Sequence, residues 1–262
     1  MNIVPSIESI RQRVFGDMAD ARQCCDQFIA GDGGELIRGI AVTFIASRSV
    51  LQRAADLGAN FVITHEPTYW QDDKQGELAG DAVYESKRRF VQEYGLTIWR
   101  CHDWWHRFPG DGILAGMATF LGWQKYQSVA AQEVFDLPET TLDDLAIDVK
   151  RKLGIQSLRV IGDAALPVQR VAFSAGCPWW KDHRGMLNTE GVDVLVCGEL
   201  REWETCEYVR DAAAAGRDLG LIVLGHCNSE EGGMFHLANW LRPLVPEVPI
   251  WFVPAGDPFR YV

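Results

Sequence analysis

Residues 221–233 read LIVLGHCNSEEGG. An apolar run suited to a buried strand ends at a glycine, His226 and Glu230 follow four positions apart, and a helix-like segment continues beyond them. The arrangement recurs twice. Phe61-Val62-Ile63-Thr64 runs into His65-Glu66-Pro67, and residues 96–101 run into His102-Asp103-Trp104-Trp105-His106. Four of the six histidines therefore stand just past the carboxyl end of a predicted strand, where open α/β sheets build their sites.

The rest of the chain alternates strand and helix around these three stretches. Ser6 suits the N-cap of a helix over residues 7–15 that Gly16 ends. Residues 39–46 read as a strand of alternating type, and 48–57 as a helix stopped by Gly58. Pro67 makes the segment after Thr64 a strand end, 71–76 read as a polar loop, and 78–94 as a helix. Helices are expected at 113–121, 140–153, 201–215 and 235–241, and further strands at 170–174, 193–197 and 250–253. We expect an α/β fold of two similar lobes, approximately 1–128 and 129–262, facing a central metal-binding cleft within one domain spanning 1–262.

Bulk properties narrow the function. A net charge of −11 argues against a general phosphate-backbone binder, so nucleic acid is not an expected partner. There is no run of about 18 apolar residues and no leader-like amino terminus, so we expect no membrane association and a cytoplasmic location. Seven cysteines with no C-x-x-C pair suit no disulfide framework, and most read as reduced core residues. Cys227 lies beside His226, but neighbouring residues point apart, which favours packing over ligation.

His65, Glu66, His102, His106, His226 and Glu230 supply four imidazoles and two carboxylates. That mixture suits borderline divalent metals such as Zn, Fe, Mn or Ni. Asp103 is either an acceptor that orients an imidazole or a turn residue. Glu199, after a predicted strand, is either a proton shuttle near the metals or a cap on the next helix. His183 and His236 lie away from strand ends and read as surface or packing residues. Trp104-Trp105 and Trp179-Trp180 each follow a predicted strand; most tryptophans pack, while these pairs are placed to wall the cleft. No nucleophile elbow, P-loop or dinucleotide fingerprint is present.

Four motifs, Ile63-Thr64-His65-Glu66-Pro67, His102–His106 with Pro109-Gly110-Asp111-Gly112, Cys197-Gly198-Glu199, and Gly225-His226-Cys227-Asn228-Ser229-Glu230, carry a resemblance to the Nif-three-like family. The family is also described as YbgI-like dinuclear-metal proteins or GTP cyclohydrolase type-two homologues. The resemblance implies metal ligands at His65, His102, His226 and Glu230, two metals per subunit, two α/β lobes and a homo-oligomer, a hexameric ring. Two positions depart from the family pattern: Glu66 stands for a histidine and His106 for an aspartate. The total of four imidazoles and two carboxylates is unchanged, which resembles an exchange of ligand types within one site. Cys177-Pro178-Trp179-Trp180 replaces the usual glycine-rich segment.

These readings lead to a metal-dependent hydrolase, cyclohydrolase-like or phosphoesterase-like, using a metal-activated water on a small-molecule substrate of aromatic or nucleotide-like kind, with Glu199 and Asp103 as catalytic candidates. A non-catalytic metal-binding or metal-delivery protein is the alternative.

Overall fold

The computed structural model describes residues 5–16 and 24–262. The chain forms two compact units. The first runs to Gly112 and resumes over Met234–Ala255; the second comprises Ile113–Gly233 and Gly256–Val262.

In the first unit, β2 (Ile40–Thr43), β3 (Phe61–Thr64) and β4 (Thr97–Arg100) are parallel and form the middle of a five-stranded sheet. β10 (Ile250–Phe252) extends it in parallel beside β2, and β1 (Phe28–Ala30) closes the other edge antiparallel to β4. Residues 40–43 were expected to alternate, yet all four are buried. Both faces of an inner parallel strand are covered, so a one-sided pattern has no reason to arise. Helices α1 (Ile7–Phe15), α2 (Arg48–Asp56) and α3 (Ala82–Glu93) surround this sheet, with Val50, Leu51, Ala54, Phe90 and Val91 in a core beneath Ala41, Val62 and Ile98. Ser6 and Ser47 cap α1 and α2 as N-cap residues should.

α3 starts later than the periodicity suggests, because Asp81 accepts from Val83 N and Tyr84 N and fixes the first turn there. The segment before it is a 3₁₀ stretch, Asp72–Leu78, and not a polar loop. Asp72 is buried and accepts from the amides of Thr68 and Tyr69, which folds this stretch back onto the unit. α4 (Asp103–Arg107) follows β4 directly.

In the second unit, β7 (Pro167–Ser174), β8 (Val194–Cys197) and β9 (Gly220–Val223) are parallel, with β5 (Val134–Thr141) and β6 (Arg159–Ile161) antiparallel at the two edges. The helices are α5 (Gly112–Leu121), α6 (Leu142–Leu153), α7 (Trp180–Leu187), α8 (Glu207–Ala214) and the first half of α9 (His226–Leu241). Thr141 caps α6 through Asp144 N, as its sequence suggests. A π-helical turn, Glu202–Cys206, precedes α8 where one continuous helix was expected. α9 begins at His226, nine residues before the expected 235, since Gly232 and Gly233 lie inside it and not ahead of it. No helix among the described residues is long and apolar enough to cross a membrane.

Candidate metal centre

In the first unit the carboxyl ends of β3 and β4 deliver the side chains. His65 leaves β3 where Pro67 forbids a continuing ladder, and its backbone N–H is held by Thr43 and Phe44 carbonyls. His102 and His106 stand one turn apart at either end of α4, so their rings share a face. The three imidazoles meet: ring centroids lie 4.4 Å apart for His65 and His102, 5.0 Å for His65 and His106, and 4.8 Å for His102 and His106. One nitrogen from each lies within 4.8 Å of the others. Glu66 turns toward the group, its Oε1 3.7 Å from His102 Nε2.

Each ring is oriented by an oxygen that can only accept. His65 Nδ1 donates to the Cys101 carbonyl at 3.2 Å, His102 Nδ1 to Asp103 Oδ1 at 2.9 Å, and His106 Nδ1 to Asp111 Oδ2 at 3.0 Å. With Nδ1 engaged as the donor, Nε2 is the nitrogen left to face a metal. Burial lowers the His102 pKa, and the neighbouring His65 works in the same direction, so neutral imidazole is favoured. Asp103 is pulled two ways: burial raises it, but hydrogen bonds from His102 and Cys25 hold it down to about 2. It stays an acceptor. Cys25 donates its thiol to Asp103 Oδ1 at 3.4 Å, and burial pushes that thiol up to about 12.

α4 has only five residues and no capping side chain of its own. Asp26 replaces one from far along the chain: Oδ1 accepts from His102 N at 2.6 Å and Asp103 N at 2.9 Å, and Oδ2 from Trp104 N at 2.7 Å. Asp111 is a second outlying support, held at φ 53, a left-handed conformation that aspartate tolerates better than most residues. Sequence reasoning passed over both. The Asp-Gly pair at 111–112 was a visible turn signal, whereas nothing near residue 26 marks a cap for residues 102–104.

In the second unit the loops after β7, β8 and β9 meet. His226 and Glu230 share a face of α9, with His226 Nε2 3.2 Å from Glu230 Oε2. Glu199 Oε2 accepts from His226 Nδ1 at 3.2 Å. The helix-cap alternative for Glu199 fails, because the following turn has Arg201 at its N-cap and no side-chain cap bond. Gly176, at φ 70, lies against this pair: a Cβ there would stand 2.3 Å from Glu230 Oε1 and 3.4 Å from His226 Nε2. The backbone has been brought in so closely that only glycine leaves the carboxylate its place. Both donor sets, imidazole nitrogens with adjacent carboxylate oxygens, fit a borderline divalent cation.

Other candidates fall outside. Cys227 is buried and donates to the Gly256 carbonyl. Cys177 is exposed and so is not a core residue. His183 is buried against Thr205, and His236 packs on Trp105. Trp104 and Trp105 belong to an aromatic cluster with Phe15, Phe108 and Trp240. Trp180 packs on Tyr208, and Trp179 is exposed.

Known proteins carry the same frame. The chain is 22% identical over 246 residues to a GTP cyclohydrolase 1 type 2 homolog of Clostridium perfringens (strain 13 / Type A), covering 89% of this chain and 90% of that protein. It is 26% identical over 233 residues to one from Escherichia coli (strain K12), covering 87% and 88%. A Bacillus cereus protein related to NIF3 superposes with a TM-score of 0.77 at 17% identity over 99% of each chain, which supports the fold. The family model described as Duf34/NIF3 (NGG1p interacting factor 3) matches residues 25–258, a span that holds every histidine and carboxylate described above, and the chain belongs to that family.

Proposed function

We propose that this protein is a divalent-metal-dependent hydrolase of a small molecule, with two metals per subunit held by His65, Glu66, His102, His106, His226 and Glu230. The observation that carries the reading is the oxygen acceptor on Nδ1 of every one of the four histidines, Cys101, Asp103, Asp111 and Glu199 in turn. A metal-bound imidazole has its other ring N–H held by an acceptor, which a packed histidine does not require. Glu66 would add a carboxylate donor to the three imidazoles, an oxygen ligand of the kind a second cation needs. Its approach to His102 Nε2 fits the exchange of ligand types between positions 66 and 106.

A bound divalent cation supplies Lewis acidity and brings the pKa of water toward neutrality. Asp103 and Asp111 hold the His102 and His106 rings aimed by accepting from Nδ1. We assign Glu199, whose side chain is 54% exposed while it accepts from His226, the role of taking a proton from water and passing it to solvent. The names of the relatives, GTP cyclohydrolase 1 type 2 homologs, support a hydrolytic reaction on a ring-containing substrate.

Elemental analysis with a hydrolase substrate panel, run on metal-loaded and chelated protein, tests the reading. Metal-dependent turnover of a panel substrate is expected, along with sharply reduced metal content in His65→Ala and His226→Ala at unchanged circular dichroism. Full metal content in both variants removes these residues as ligands. Tightly bound metal without turnover points to a metal-binding or metal-delivery role. Anomalous scattering from metal-loaded crystals counts the ions, and a single peak with Glu66 turned away rules out the two-metal arrangement.

A further inference from the structure

A second concavity in the first unit lies apart from the histidines. It is a cavity of about 380 Å³ at the carboxyl side of β2 and β3, formed where α2 and α3 begin and where the loop after β3 passes Trp70. Ile45, Ala82 and Val83 give it apolar walls, and Arg48 and Lys87 bring two cations to it.

Among the described residues neither cation forms an ion pair. Arg48 spans the Phe90 ring, its Cζ 3.2 Å from the centroid, and donates to Gln52 Oε1 at 3.3 Å. Lys87 is only 6% exposed, donates to the Thr68 carbonyl, and lies 5.6 Å from the Tyr69 and Trp70 centroids. Burial brings its amine down to about 8, while Asp72 acts the other way from beyond ion-pair distance, its two oxygens already taken by the amides of Thr68 and Tyr69. A buried cation without an adjacent anion is costly to keep and is usually paired. The cation is nevertheless retained here at a cavity wall.

Trp70 adds an independent observation. It has φ 64, a conformation bulky side chains avoid, and yet the residue is 51% exposed at the cavity. Packing does not require a ring there. Strain of this kind persists where it sets a group in place for a ligand.

We propose that this cavity binds a phosphate monoester carrying a planar ring, its dianion between Arg48 and Lys87 and its ring on Trp70. Two fixed positive charges match a phosphate dianion and would be half-compensated by a carboxylate. The volume is that of a small-ligand pocket, and a base of nucleotide size fits the apolar walls. The inference does not depend on the metal reading.

Isothermal titration of the full chain, stripped of metal on a chelating resin, separates the two. The probes are adenosine and guanosine 5′-monophosphates, adenosine, benzoate and inorganic phosphate. At least one nucleotide is expected to bind with Kd of about 0.1 mM, and adenosine or benzoate about tenfold or more weakly. Arg48→Gln and Lys87→Met should each weaken the nucleotide about tenfold. Trp70→Gly suits the backbone at φ 64, so it should fold, weaken the nucleotide and leave inorganic phosphate unchanged. The proposal is overturned if neither nucleotide binds at about 5 mM, if adenosine or benzoate binds as well as the nucleotides, or if all three folded variants bind like the wild type. Absence of turnover by the metal-loaded protein on every panel substrate, with nucleotide binding retained, would sink the hydrolase reading and leave this one standing.

Discussion

Asp26 shows how far from its ligands a metal site is supported. Its carboxylate takes three consecutive amides at the start of α4, the helix that spaces His102 from His106. Replacing a capping carboxylate by alanine costs about 1–2 kcal/mol, so Asp26→Ala should lose that much in urea denaturation. It should also weaken metal binding about tenfold, because both rings lose their fixed spacing. An unchanged metal titration in a destabilised variant would reduce Asp26 to a cap. Gly176 tests the second unit in the same way. Gly176→Ala meets both the positive φ and the Glu230 oxygen at 2.3 Å. A loss of about 1–2 kcal/mol is expected from the backbone term alone, with metal content falling as Glu230 is displaced. If metal content holds while stability drops, Glu230 is not a ligand.

At the scale of elements, α9 places glycine twice in a helix interior, where each costs about 1 kcal/mol relative to alanine. The expected reason is close approach. A Cβ on Gly233 would fall 2.5 Å from the Ile113 Cα, and one on Gly232 would fall 2.8 Å from Met117 Sδ. Backbone cannot yield as a thioether can. Gly233→Ala should therefore destabilise by about 2 kcal/mol or more, and Gly232→Ala by much less, since propensity offsets a contact that Met117 can relieve. Thermal melts of the two variants decide it; equal losses would mean that the approach of α5 is not the constraint. The strands divide along similar lines. Those legible in the sequence are parallel and, except for β10, inner; β3, β4, β7, β8 and β9 are apolar runs closed by glycine or histidine. Those missed, β1, β5 and β6, are the antiparallel edges. The expected lobe boundary after residue 128 falls just ahead of β5, which carries Pro138 and a register shift between Asp136 and Thr140, both tolerated at an edge.

At the scale of the whole molecule, the family resemblance led us to expect a homohexamer. Light scattering at micromolar protein should return a mass near six times 29.4 kDa. A monomeric mass would remove that expectation, and it would leave the donor sets within each unit untouched.

The sequence by itself determined the strand-helix alternation, the strand ends that carry His65, His102 and His226, and the one-turn spacings within His102–His106 and His226–Glu230. These are local properties: a run of apolar residues, a proline that stops a ladder, and the period of a helix act within a few residues. What tertiary structure decided lies between residues distant in the chain. It paired β10 with β2 across some two hundred residues of chain, since parallel strands need a crossover that no local signal announces. It brought Asp103 against His102 and Glu199 against His226, contacts that no local signal announces. It also supplied Asp26, Asp111 and the Cys101 carbonyl, because a hydrogen-bond partner is selected by where the fold brings an acceptor, and that geometry exists only once both sheets are formed.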